Sequence, residues 1–173
     1  NTYRVVSART QEGWPDDGTF SELWRTHEPI CDLPEEWRFR IDPDEVGLRD
    51  GWHRPGLDDG GWETIRIREF WEAQGRSPYD GAAWYRLDFT APELPADKRV
   101  YLAFGGVSDG ASVHVNGEPC YESPFGDNIR HELFLADVTL HLKPGPGNSI
   151  AVRVWNTGWC GGIWKSVKLV ARK

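Results

Sequence analysis

Acidic side chains are the first residues in this sequence with chemical potential. Two carboxyl groups flanking one bond, roughly 5 to 9.5 Å apart, can hydrolyse an acetal. Carboxylates cluster at Glu35-Glu36, at Asp42, Asp44 and Glu45, and at Asp58-Asp59. Nearly all sit in Pro- and Gly-rich stretches, where Asp accepts backbone N–H bonds in turns. Turn and cap chemistry is therefore their expected role. The five histidines (His27, His53, His114, His131, His141) show no two- or four-residue pairing. They read as surface or packing residues, not zinc ligands, with His114 on the outward face of its strand. Cys31, Cys120 and Cys160 are an odd set without metal-type spacing and allow at most one internal disulfide. Cys160 has no nearby His to act as its base, so a nucleophilic role is not expected. Structural calcium is the one metal the sequence leaves open, through the Asp-rich residues 42–50. No Gly-x-Ser-x-Gly, phosphate loop or dinucleotide fingerprint is present.

Aromatic residues remain. There are 10 Trp, more than a core of this size needs. A Trp or Tyr offers a flat apolar face with a polar edge. That shape suits a sugar, whose ring has apolar C–H faces and a rim of hydroxyls. Trp71 with Tyr79 and Asp80, and Trp159 with Asn156, combine an aromatic ring with side-chain oxygens on loops, and are the candidate carbohydrate-binding residues. The competing role for each ring is to tie its loop to the domain. Trp37, Trp62 and Trp84 stand at strand starts and are expected to pack.

Short strands must position these residues. Apolar residues alternate at Trp37, Phe39, Ile41; at Ile65, Ile67; at Tyr85, Leu87, Phe89; at Ala111, Val113, Val115; at Ile150, Val152, Val154; and at Val167, Leu169. Period two bounded by Gly, Pro and Asp is the half-buried strand signal. Residues 100–104 read as a more apolar strand and 129–135 as a weaker one. No helical period of ten or more residues occurs, so helix is expected only as single turns. The expected fold is all-β, a jelly-roll β-sandwich of about eight antiparallel strands. Residues 1–35, with the turn signal Trp14-Pro15-Asp16-Asp17-Gly18, are expected to be an arm on a single domain spanning 36–173. Loops 68–83, 117–128 (with Cys120, Tyr121 and Phe125) and 156–162 are long enough to carry function.

Composition narrows the function. The 173 residues carry 20 Lys+Arg and 27 Asp+Glu, a net charge of −7. With no basic block, neither nucleic acid nor an anionic membrane is an expected partner. No apolar run approaches the ~20 residues of a membrane helix. The length cannot hold a β/α barrel of about 250 residues. There is no Met, and no signal-type apolar region follows residues 1–11. The chain is therefore expected to be processed, or cut from a longer one.

An ordered series of motifs adds a family. Trp37-Arg38-Phe39-Arg40-Ile41-Asp42-Pro43 leads to Gly47, Trp52, Asp58-Asp59 and Trp62. Tyr79-Asp80-Gly81-Ala82-Ala83-Trp84-Tyr85-Arg86, Phe104-Gly105-Gly106-Val107 and Val113-His114-Val115-Asn116-Gly117 follow. Gly147-Asn148-Ser149-Ile150-Ala151-Val152-Arg153-Val154 and Gly161-Gly162-Ile163-Trp164-Lys165-Ser166-Val167 complete it. Over about residues 35–171 the chain resembles the N-terminal sugar-binding domain of family 2 glycoside hydrolases, the β-galactosidase, β-glucuronidase and β-mannosidase group. It departs from that pattern in residues 117–128, in 129–142 and in its long arm. The resemblance implies a galactose-binding-like jelly roll with no catalytic residue, because the family's catalytic glutamates lie in a separate barrel. It also implies that the loops holding Trp71 to Asp80 and Asn156 to Cys160 can reach that barrel's pocket. Carbohydrate is the implied partner, with a catalytic domain in a longer chain and an extracellular or periplasmic location. Two functions are open at this point: a non-catalytic carbohydrate-binding domain, or an accessory domain that packs on a catalytic barrel without binding free sugar.

Overall fold

Alternation of apolar and polar residues shapes the strands of the computed structural model, which describes residues 18–123 and 129–173. Most of the Trp14–Gly18 turn signal, and Phe125, lie outside the described residues. The described strands are β1 (His27–Asp32), β2 (Glu36–Asp42), β3 (Glu63–Arg66), β4 (Gly81–Ala91), β5 (Val100–Phe104), β6 (Gly110–Val115), β7 (Glu118–Glu122), β8 (Phe134–Asp137), β9 (Gly145–Asn156) and β10 (Val167–Arg172). All pair antiparallel. They form a four-stranded sheet, β1-β10-β5-β8, and a six-stranded sheet, β3-β2-β4-β9-β6-β7. Among the described residues helix is limited to the 3-10 turns Leu23–Arg25 and Trp71–Gln74. The expected all-β sandwich is the observed fold.

The inward residues of both sheets meet in one apolar core. Trp37, Phe39, Tyr85, Val113, Ile150 and Val152 of the larger sheet face Leu102, Phe104, Val167 and Leu169 of the smaller. Each sheet is also covered on its outer face. Phe20 and Leu23 pack on Ala103 and Val170 of the smaller sheet. Trp52 and Trp62, from the segment between β2 and β3, pack on Trp84 and Ala151 of the larger.

This outer layer explains where the alternation fails. Ile41 was expected inward, yet it is 40 % exposed, while Asp42 is buried. The Asp42 carboxylate accepts the N–H groups of Val46 (2.8 Å) and Gly47 (2.9 Å) and Nε1–H of Trp84 (2.9 Å). A buried carboxylate with several N–H donors is well satisfied, and here it anchors the covering segment. Among the described residues no three His, Cys, Asp or Glu gather to hold a metal ion. Arg86, polar by pattern, is also buried. Its guanidinium donates to Asp59 Oδ2 (2.9 Å), to the carbonyls of Trp52 (2.6 Å) and Arg54 (3.2 Å), and to Ser149 Oγ (3.4 Å).

Three further expectations are corrected. The arm is not merely laid on the domain: β1 pairs with β10 from His27↔Arg172 to Asp32↔Lys168. Loop 117–128 contains an edge strand, β7, whose Tyr121 stacks 4.1 Å from Phe134. The weak strand expected at 129–135 begins only at Phe134. His114, read as a surface or packing residue on the outward face, is a packing residue: the covering segment lays His53 against it with ring centroids 4.7 Å apart.

Burial, and then the neighbouring His53, depress His114 to a pKa of about 4. Burial, then Arg54 and Arg86, lower His53. The unfolded chain therefore binds more protons than the folded one between the ordinary His value of 6.5 and about 4. The stability linked to these rings is whole above pH 6.5 and is lost as pH falls through that window. Thermal melts should show a fall on the order of 2–3 kcal/mol between the two ends. His114→Phe, which keeps an uncharged ring, should flatten the slope. An unchanged slope in that variant would assign the loss to other groups.

Candidate functional site

The loop end of the sandwich is built on a close approach between the two loops singled out by sequence. Trp71 is fully buried. Its indole lies so near the α-carbon of Gly161 that a Cβ there would overlap the ring. The backbones are stitched as well. Trp71 N–H donates to the Gly161 carbonyl (3.0 Å), and the Gly161 N–H donates to the Glu72 carboxylate (2.9 and 3.0 Å). Burial raises the pKa of Glu72 despite those bonds. Only a residue without a side chain permits this approach.

Arg130 fixes the other side of the 156–162 loop. It donates to the carbonyls of Gly158 (2.8 Å) and Cys160, to Asn156 Oδ1 (2.8 Å) and to Asp109 Oδ1 (2.7 Å). Asp109 Oδ2 accepts the N–H (2.6 Å) and hydroxyl (2.7 Å) of Thr157. Burial pushes the Asp109 carboxyl up, but the Thr157 and Arg130 donors outweigh it and hold it below the ordinary range. Ser108 Oγ accepts the Gly162 N–H (2.6 Å). The loop is thus held by charge-assisted bonds along most of its length.

The five candidate residues separate into two roles. Trp71 is corrected: its ring has no face for a ligand and instead packs 6.0 Å from Phe39 and 5.6 Å from Tyr79. Tyr79 supports that ring, and its hydroxyl donates to the Ala82 carbonyl at 2.5 Å. Asn156 is buried and bridges, with Nδ2 donating to Asp80 Oδ1 (2.9 Å) and to the Trp159 carbonyl (3.3 Å). Trp159 is 78 % exposed and has φ +71°. A non-glycine residue in that region costs of order 1–3 kcal/mol, and such strain clusters at ligand sites. Asp80 is exposed beside the same bridge. The structure therefore joins Asp80, Asn156 and Trp159, and sets Trp71 and Tyr79 beneath them.

Cys31, Cys120 and Cys160 are all free thiols. Burial and the nearby Glu72 raise Cys160, opposed by Arg130, so it is a poor nucleophile. Sequence reading missed Arg130, Asp109 and Glu72. No local signal marks them, because their partners lie 21 to 89 residues away.

Proteins similar to this chain include several glycosidases. No family model matches the chain. A β-glucuronidase of Paenibacillus borealis is 29 % identical over 133 residues, 73 % of this chain and 21 % of that protein. An exo-β-D-glucosaminidase of Streptomyces avermitilis is 42 % identical over 73 residues, 41 % of this chain and 7 % of that protein. A β-glucuronidase structure from Ruminococcus gnavus superposes with a TM-score of 0.71 and 21 % identity, covering 85 % of this chain and 30 % of its own. The chain is similar to part of these glycoside hydrolases, which are of the family 2 type. It spans about a fifth of the Paenibacillus relative and resembles that small part of a family 2 enzyme.

The Trp71–Gly161 contact makes a direct prediction. Gly161→Ala forces the indole out of its slot and should cost about 2–3 kcal/mol in chemical denaturation. Trp emission should shift to the red as Trp71 meets water. A variant as stable as the parent, with unchanged emission, would show that the loops do not depend on this contact.

Proposed function

We propose that this chain is a non-catalytic accessory domain of a glycoside hydrolase that meets carbohydrate through the Trp159 loop. One observation carries the reading: an exposed indole in a left-handed backbone, on a loop tied down by Arg130, Asn156 and Glu72. A ring fixed in advance binds without the cost of ordering its loop. Its face suits the C–H face of a sugar, and the exposed Asp80 carboxylate suits a neighbouring hydroxyl. The relatives' printed names, a β-glucuronidase, an exo-β-D-glucosaminidase and a β-galactosidase, all describe proteins acting on sugars. In this reading the catalytic carboxylates belong to a neighbouring domain, and an extracellular or periplasmic location follows from a glycan partner.

The burial of Trp71 favours a second reading. It leaves one platform, not two facing ones, and one ring completes a pocket more readily than it forms one. The Trp159 loop then packs on the catalytic domain and binds no free sugar.

Fluorescence titration of the chain with mono- and oligosaccharides separates the two. A single stacked sugar should bind with Kd around 0.1–1 mM, or about −5.5 to −4 kcal/mol. Trp159→Ala should weaken it at least tenfold, about 1.4 kcal/mol. No response up to about 10 mM, weaker than about −2.7 kcal/mol, would overturn the first reading in favour of the second.

A further inference from the structure

A second concavity, lined by no residue of the 156–162 loop, lies at the margin of the larger sheet. It is a 620 Å³ cleft whose lining includes Arg40, Ile41, Asp58, Trp62, Glu63 and Arg76. It arises from a mismatch in strand length. β3 stops at Glu63, opposite Phe39, whereas β2 continues to Asp42 along β4. Residues 40–42 therefore have no strand on that side. Successive strand residues point to opposite faces, and both Arg40 and Ile41 line the cleft, so it wraps across the open edge of β2.

The chemistry of the lining is specific. Arg40 lies with its guanidinium 4.6 Å from the Trp52 ring centroid. The ring backs the guanidinium on one side, yet none of its N–H groups meets a hydrogen-bond acceptor or ion-pair partner among the described residues. An arginine fork backed by an aromatic ring can take a carboxylate through two parallel bonds. The other charges in the cleft are already engaged. Arg76 pairs with Glu63, and Asp58 Oδ1 accepts the Gly60 N–H at 3.1 Å. Their remaining lone pairs and protons suit hydroxyls. Ile41, 40 % exposed, supplies an apolar wall. The volume falls in the range of roughly 300–1,000 Å³ typical of small-ligand sites.

We propose that this cleft binds an acidic sugar, its carboxylate on Arg40 and its hydroxyls on Asp58, Glu63 and Arg76. None of its lining residues belongs to the Trp159 loop, and the proposal does not rest on that loop. A neutral sugar would leave the Arg40 fork unpaired, and a simple carboxylate would leave the hydroxyl-binding rim unused. Arg40 lies on Trp52, and Trp62 lines the cleft, so occupancy should alter Trp emission.

The test is a fluorescence and calorimetric titration of the 173-residue chain. The ligands are glucuronate, its neutral counterpart glucose, and acetate. Saturable binding of glucuronate is expected, at least tenfold tighter than glucose or acetate. Arg40→Gln should abolish it, and Arg40→Lys, which keeps the charge and loses the fork, should weaken it several-fold. Trp159→Ala should leave it unchanged. Arg40 is exposed, so both Arg40 variants should melt like the parent. If Arg40→Gln does not fold, the Arg40→Lys result decides. No binding, equal affinity for glucose or acetate, or glucuronate binding unchanged in the Arg40 variants would overturn the proposal. Loss of binding in Trp159→Ala would overturn it too, moving the ligand to the loop end while leaving the accessory-domain reading intact.

Discussion

The loop end depends on one contact, the indole of Trp71 against the bare α-carbon of Gly161. It does three things at once. It hides the larger of the two candidate aromatic surfaces. It brings the backbone of the 156–162 loop within hydrogen-bond reach of Trp71 and Glu72. It also brings together the two loops on which Asp80 and Trp159 stand, bridged by Asn156. Packing in protein interiors is close to that of organic crystals, so such a contact holds its neighbours to one arrangement. The exposure of Trp159 follows from the burial of Trp71: with the loop pinned on its inner side, the next large ring points to solvent.

A second constraint governs the body of the domain. The larger sheet is buried on both faces, because the segment between β2 and β3 is tied down by Asp42 and Arg86. This accounts for much of the Trp content. Trp37, Trp52, Trp62, Trp71, Trp84 and Trp164 are all buried, in the core, the covering layer or the loop supports. The abundance of tryptophan reflects structure more than binding, and of the described tryptophans only Trp159 stands among the exposed large apolar residues. The same covering layer traps His53 and His114 in a setting that disfavours their charge, which makes the layer acid-sensitive.

The two proposed ligand surfaces differ in kind. The Trp159 loop is a projecting platform whose geometry is set by bonds behind it. The cleft at β2 is a recess whose geometry is set by a strand that ends early. The first suits a contact completed by a neighbouring domain, the second a small ligand held from several sides.

Period-two patterning alone determined the fold class, most strands and the loops that matter, because strand alternation is a local property written residue by residue. Residues 156–162 and the 71–80 loop were visible as candidates for the same reason. Tertiary structure decided the rest. The sequence pattern at Arg86 was read correctly as to face but not as to burial, because a covering segment from elsewhere in the chain buries the outer face, and Ile41 is exposed because β3 does not extend beside it. Trp71 and Trp159 look alike in sequence, each an aromatic beside polar residues on a loop. Gly161 separates them, 90 positions from one and two from the other. Arg130 was illegible for the same physical reason: its partners are carbonyls and carboxylates that only folding gathers, and no local pattern records a contact made across the sandwich.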